Sequence, residues 1–413
     1  IGAVVLLASS VPAEERHEAD RRVAALVQAP AVKAALAAAR AGEAQTIDTQ
    51  VRLSEIPAPP FHEGARAEEM RRLFGELGLA HVRIDKVGNV IGERPGAAPH
   101  PHVVIAAHLD TVFPAGTNLT VRRDGTRLYG PGIGDDSRGL AVLTGIVRAL
   151  NAGHVRTTGT LSFVADVGEE GLGDLRGIRT LFDDTLKGTV DRFVTIDGTG
   201  LGIARTFVGS ERYRITFRGP GGHSFAAFGT PNPVNALGRA IAAVAGFAVP
   251  PGTLTTFNVG RVGGGTAVNA IPAEAWMEVD LRSLDGAALR SLDRSLAQAV
   301  ASALAAENAR AGRGGALTVS RVLAGRRPGG AVPEGALIVQ LAAAATRAIG
   351  EFPAEVTSSS DANYPASLGI PSLEIGGGGR GLDAHAPTEA FDTANAWLGT
   401  QRALLLAVAL AEK

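Results

Sequence analysis

The chain of 413 residues contains no cysteine. That removes disulfides, thiolate metal sites and cysteine nucleophiles at once. Aromatic residues are scarce, at 5%, and no apolar run reaches the roughly 18 residues that a membrane-spanning helix needs. Neither sign of charge is in excess: 40 basic residues against 41 acidic give a formal net charge of −1. Nothing there attracts nucleic acid or an anionic membrane surface. What is present is a globular composition, 45% hydrophobic with 53 glycines, in a chain long enough to imply two domains rather than one core. With thiolates absent, any metal must be held by His, Asp and Glu, which favours zinc, manganese or cobalt.

The first residues, IGAVVLLASSVPA, are similar to the end of a secretory signal: an apolar core, then a small-residue site at Val11-Pro12-Ala13. Residues 1–13 are accordingly read as a signal remnant and the protein as exported. The alternative is an N-terminal strand or helix of a cytoplasmic protein.

The organising stretch runs from Val103 to Gly139. Val103 to Ala107 has the look of a strand buried on both faces, ending in His108-Leu109-Asp110. Two residues apart on a strand, His108 and Asp110 share a face at the carboxyl end, where α/β sheets bind ligands. A carboxylate there suits the second ring nitrogen of a metal-binding His. After Gly130-Pro131-Gly132-Ile133-Gly134 come Asp135-Asp136, followed by Leu140, Leu143, Val147 and Leu150 at helical spacing. One acid serves as a helix N-cap, worth about 1 kcal/mol. Two adjacent acids repel unless a cation or hydrogen bonds compensate them.

Along the chain, Glu14 to Leu53 and Glu63 to Leu79 read as helices, and Val82-Ile84 and Asn89-Ile91 as short strands around a turn. Leu161-Val164 and Phe193-Ile196 are further apolar strands, each followed by acids. Strands alternating with helices imply an α/β fold, a mixed and mostly parallel sheet with helices on both faces. Near Gly209 the pattern changes to half-exposed strands. A βαββαβ order follows: strands at Arg212–Phe217, Thr255–Val259, Ala275–Arg282 and Leu317–Val322, with helices at Pro233–Phe247 and Ala287–Ala311. Residues 209–325 are therefore read as an inserted α+β two-layer sandwich, and 14–208 with 326–413 as the domain carrying the chemistry, closed by a helix over Ala394–Glu412.

Two further acidic groups sit at strand ends, Asp166-Val167-Gly168-Glu169-Glu170 and Asp197, and Asp383-Ala384-His385 near the C-terminus offers a second histidine. Adjacent Glu169 and Glu170 point different ways, so one can bind a metal while the other faces a water as general base. Taken singly, each has a bland alternative: a solvated loop, a turn acid, a surface His. Together, that many carboxylates on one sheet edge need a cation between them. The run Gly376 to Gly381 fits GxGxxG, but Leu382-Asp383-Ala384-His385-Ala386-Pro387 cannot open the helix that a dinucleotide site requires.

From about Leu53 to the end, the chain resembles the co-catalytic metallopeptidase family of peptidase T, glutamate carboxypeptidase and acetylornithine deacetylase. The motifs are HLDTVF, GPGIGDD, VGEEG, IDG, GPGGHSF, VNAIPAEA, DLRS and DAHAPTE. The resemblance implies two divalent ions, most often Zn2+, with Mn2+ or Co2+ as alternatives. His108 holds one, His385 the other, and Asp135 bridges them, with a cis peptide to Asp136. Glu170 and Asp197 complete the sets, Glu169 is the base and Asp110 orients His108. In the insert, His223 reaches a neighbouring protomer's site, and Asn269 and Arg282 bind substrate. This implies a homodimer through residues 209–325. An Asp at 197 looks more like the peptidase T side, hence an exopeptidase acting on di- or tripeptides. Alternatives are an N-acyl or N-carbamoyl amino acid amidohydrolase on the same scaffold, or a binding protein without catalysis. Ser137-Arg138 departs from the pattern, where relatives carry Lys.

Overall fold

The computed structural model describes residues 13–412. The signal-like segment falls outside them apart from Ala13, where the first helix begins. The alanine-rich start folds into three helices, Ala13–Gln28, Pro30–Ala41 and Glu43–Ser54. Pro30 sets the first break, since its ring suits a helix's opening turn but disfavours helical backbone in the residue before it. Gly42 sets the second. The helix Gly64–Glu76 follows.

Among the described residues the fold divides into two compact units. One comprises the chain up to Phe207 together with Gly330 onward; the other is Val208–Gly329.

The first unit is built on a mixed sheet. Its centre is four parallel strands side by side: Leu161–Asp166, Val103–His108, Arg192–Ile196 and Ser372–Ile375. The antiparallel strands Val90–Arg94 and Ala80–Ile84 extend one edge. Gly202–Phe207 extends the other, pairing in parallel with Ala354–Ser358 and antiparallel with Gly330–Ala331. Every residue of Val103–His108 and Leu161–Asp166 is buried, as strands sandwiched between helical layers must be. The helices Ser137–Ala152 and Trp397–Ala411 are buried almost throughout and share one apolar core with these strands. The last helix begins three residues later than expected, at Trp397, because Ala394-Asn395-Ala396 form a turn in which Asn395 has φ 54°.

A small antiparallel sheet of Arg380–Leu382, Ala390–Asp392, Arg127–Tyr129 and Arg122–Asp124 joins the late part of the chain to the loop before Gly130. It confirms that Gly376 to Gly379 leads into a strand, not a helix.

The second unit is a four-stranded antiparallel sheet, ordered Thr255–Gly264, Glu274–Ser283, Gly209–Arg218, Thr318–Arg327. The helices Pro233–Ala245 and Gly286–Arg310 cover one face. Their Leu237, Leu292 and Leu296 meet Ile215, Phe217, Met277 and Leu281 in a separate core. Burial alternates strictly along Glu274–Ser283, the period-two pattern of a half-covered strand. The last strand runs on to Arg327 rather than ending at Val322. A bulge between Leu323 and Gly325 interrupts the alternation by which a strand is recognised in sequence.

No single helix among the described residues is long and apolar enough to cross a membrane.

Candidate metal centre

Strand Val103–His108 delivers His108 to the carboxyl edge of the sheet, with the side chain 1% exposed. Asp136 accepts the backbone N–H of His108 at 3.2 Å and that of Gly139 at 2.9 Å. It therefore caps the helix Ser137–Ala152 and ties that helix to the strand end. The second acid of the pair is thus accounted for by hydrogen bonds, which leaves Asp135 for other chemistry. The peptide between the two acids is cis.

Asp135 lies between both histidines. Its Oδ1 is 3.1 Å from His108 Nε2 and its Oδ2 is 2.9 Å from His385 Nε2. Around this carboxylate, ligand atoms of His108, Asp135 and Asp197 lie within 4.8 Å of one another, and so do those of Asp135, Glu170 and His385. Asp197 Oδ1 is 4.0 Å from His108 Nε2, and Glu170 Oε1 is 2.9 Å from His385 Nε2. The five residues expected as ligands therefore converge, in two sets that share Asp135. A third set, His108, Glu169 and Glu170, meets the same distance limit.

Asp110 is near His108 but divides its work. The ring Nδ1 is 3.0 Å from the backbone oxygen of Asp110 and 3.7 Å from its carboxylate. That carboxylate accepts the N–H groups of Gly168, Glu169 and Glu170 at 2.9, 3.0 and 2.8 Å. It clamps the turn that presents both glutamates, which are 4% and 7% exposed.

The electrostatics show a site short of positive charge. Burial opposes a proton on His108, yet its hydrogen bond to Asp135 and the carboxylates of Asp136 and Asp197 hold its pKa well above the ordinary value. Hydrogen bonds to Asp135 and Glu170 push His385 up to about 10. Burial would raise Asp135, but the two imidazoles hold it below the usual carboxylate range. Burial and the nearby charges of Glu374 and Asp135 push Asp197 well up. Protons on imidazoles and reluctant carboxylates both mark a deficit that a divalent cation relieves. Imidazole nitrogen with carboxylate oxygen is the donor set expected of zinc, manganese or cobalt, and the residues fit such ions.

Three supporting residues were given no role by the sequence. Arg66 is fully buried and donates to the carbonyls of Leu109 and Ile56 at 2.9 and 2.7 Å, fixing the loop after His108. Arg138 reaches Gly377 O, Ala396 O and Glu43 at 2.6 to 2.7 Å and so braces the glycine run. Glu389, 2% exposed, accepts N–H groups from Gly132, Gly134 and Asp135 at 2.8, 2.8 and 3.1 Å. An acid four residues beyond His385, inside the DAHAPTE motif, was the one clue to it.

The remaining expected residues lie in the second unit. His223 is exposed on the two-residue strand Gly222–His223, which pairs with Ala270–Ile271, and its Nδ1 accepts from Phe225 N at 3.2 Å. Asn269 is exposed next to that pairing, its carbonyl accepting from Ser224 N. Arg282 is half-buried and donates to Asp280 at 2.6 Å.

Two nitrogen–oxygen ligand sets sharing one carboxylate, at the carboxyl edge of an α/β sheet, define the class of hydrolases that use paired cations. The chain belongs to Peptidase family M20/M25/M40, whose profile matches residues 104–409. It is 27% identical over 352 residues to the uncharacterized protein YqjE of Bacillus subtilis, covering 81% of this chain and 90% of that one. Its fold matches the aminopeptidase PepT of Bacillus cereus with TM-score 0.68 at 21% identity, over 90% of this chain and 99% of that one. YxeP of Bacillus subtilis, described as a dinuclear metal-binding peptidase, matches with TM-score 0.65 at 19% identity, over 89% and 98%. An amidase of the hydantoinase/carbamoylase family from Burkholderia vietnamiensis matches with TM-score 0.71 at 16% identity, over 90% and 98%. The protein is a hydrolase of peptide or other C–N bonds, a metallopeptidase by family.

Proposed function

We propose that the protein hydrolyses the amide bond of small peptides, as an exopeptidase on di- or tripeptide-like substrates. The observation that carries this reading is Asp135, one oxygen against each imidazole, between two ligand sets. In it, His108, Asp135 and Asp197 hold one divalent cation, most often zinc, and Asp135, Glu170 and His385 hold the other. When bound, such a pair supplies Lewis acidity that lowers the pKa of a water and polarises the scissile carbonyl.

The chain's own groups do the rest. Glu169 takes the proton of the attacking water and returns it to the leaving amine nitrogen, so that the C–N bond breaks to a free amine and a carboxylate. Asp110 holds the Glu169 backbone in place for this. His223 donates to the oxyanion as it develops, while Asn269 and Arg282 hold the substrate's backbone or carboxylate. Acting from a neighbouring protomer, His223 requires a homodimer joined through the inserted unit. Light scattering is then expected to give a dimer, and a fully active monomer overturns that arrangement.

The test is chelation followed by zinc, manganese or cobalt add-back, assayed on di- and tripeptides beside N-acetyl and N-carbamoyl amino acids. Activity should vanish with the metal, return with it, and be greatest on the peptides. Activity indifferent to chelation removes the cations from the reading. Turnover of the acylated amino acids alone transfers the same chemistry to an amidohydrolase, the second reading, which the carbamoylase-family likeness favours. Tight peptide binding without turnover at saturating metal leaves only a binding protein.

A further inference from the structure

The segment that carries His385 and the loop that carries Asp135 are about 250 residues apart in sequence, yet one side chain joins them. Glu389 lies one turn beyond His385, with its own N–H bonded to Ala386 O at 3.0 Å. Its Oε2 accepts from Gly132, its Oε1 accepts from both Gly134 and Asp135, and its backbone oxygen accepts from Gly130 N at 3.0 Å. Four of the five N–H donors of the Gly130–Asp135 loop thus end on this one residue; Pro131 has none, and Ile133 donates to Gly130 O.

The loop is shaped for that contact. Gly132 has φ 71°, which favours glycine, and a Cβ on Gly134 would sit 3.2 Å from Glu389 Oε1 and 3.1 Å from Thr199 Cγ2. Converging backbone N–H groups form an anion-holding concavity; here the protein fills it with its own carboxylate. On the far side, strand Ala390–Asp392 continues from Glu389 and pairs with Arg127–Tyr129, which leads into the same loop. His385 itself is held at φ 68°, a backbone state that persists only where surroundings enforce it.

We infer that Glu389 is a positioning residue that fixes Asp135 midway between His108 and His385, and so sets the affinity of the shared cation centre. The inference rests on the proposed two-cation reading. Glutamine at 389 keeps the shape but offers one acceptor oxygen and turns an NH2 toward the loop's N–H groups. Aspartate keeps the charge and falls short by a methylene.

The experiment is calorimetric titration of the metal-free full-length protein with zinc chloride, for wild type, Glu389→Gln and Glu389→Asp. Alongside run circular dichroism and steady-state kinetics at saturating zinc. Glu389→Gln should bind zinc 10- to 100-fold more weakly, the scale typical of losing a group that orients a ligand. Its KM should stay within about twofold of wild type, because Glu389 meets no substrate in this role. Glu389→Asp should fall between the two.

Wild-type zinc affinity in Glu389→Gln overturns the inference while leaving the cation reading intact. So does unchanged affinity with a raised KM. A wild-type protein that takes up no zinc overturns both. If Glu389→Gln does not fold, Gly134→Ala carries the test: it keeps the carboxylate but crowds Oε1, and should weaken zinc binding with the dichroism unchanged. Unaltered affinity there overturns the inference.

Discussion

Glu169 and Glu170 are neighbours in sequence, both buried, and both anchored through their backbones to Asp110. Glu170 reaches His385 Nε2 at 2.9 Å. The proposed division of labour therefore makes a sharp prediction. Glu169→Gln should lower kcat by about 10²–10⁴-fold, the usual size of a lost proton transfer, with metal content by atomic emission unchanged. Glu170→Gln should lose metal as well. The raised histidines give a second prediction for the chelated protein. A His385 pKa lifted to about 10 contributes stability present below its ordinary value near 6.5 and lost as pH rises through about 10. Burial lifts Asp166 to about 7, so its ionisation also costs stability as pH climbs from about 4 to 7. Thermal unfolding of the metal-free protein should accordingly shift to lower temperature from pH 6.5 to 10, modestly, because His385 is half exposed and screened. Zinc should flatten that slope, since it replaces the proton as the imidazoles' partner. Convergence of His108, Asp135 and His385 was legible from motifs at strand ends. The role of Asp136 as a cap fixed at both oxygens was not, because a DD pair in sequence does not say which acid turns inward.

At the level of elements, the helix Ser137–Ala152 is held at its start by Arg138, wholly buried and paired with Glu43 at 2.7 Å. Removing one partner of a buried pair typically costs about 3–5 kcal/mol. Arg138→Leu should lower the unfolding free energy by that order in urea titration, and Arg138→Lys by less, since Lys keeps the charge but not the three-way reach. Helices and central strands were readable from apolar periodicity, as Val103–His108 illustrates. The small sheet of Arg122–Asp124, Arg127–Tyr129, Arg380–Leu382 and Ala390–Asp392 was not. Its strands are only three residues long, too short for a periodic pattern, and its central pair, Arg127–Tyr129 with Ala390–Asp392, joins positions more than 250 apart. It is nonetheless the frame on which Glu389 hangs.

For the molecule as a whole, the five expected ligands and Glu169 all belong to the first unit, while His223, Asn269 and Arg282 belong to the second. The second unit has its own apolar core. A chain in which Val208–Gly329 is replaced by a two-residue turn should therefore fold and still bind zinc, but lose turnover. Full activity in that shortened chain, measured against the same substrate panel, excludes His223 from the chemistry. The change of pattern near Gly209 revealed the insert from sequence, because half-exposed alternation looks unlike the continuous apolar strands on either side. Its far end was blurred by the bulge at Leu323.

Phe207 and Gly330 face each other on paired strands, so the exit and re-entry points of the insert stand one strand-width, about 5 Å, apart. A folded module whose own termini lie side by side can be spliced at that doorway without stretching either stub. Evolution and the protein engineer therefore have the same freedom here: Val208–Gly329 can be exchanged wholesale while the unit that carries His108, Asp135 and His385 is left untouched.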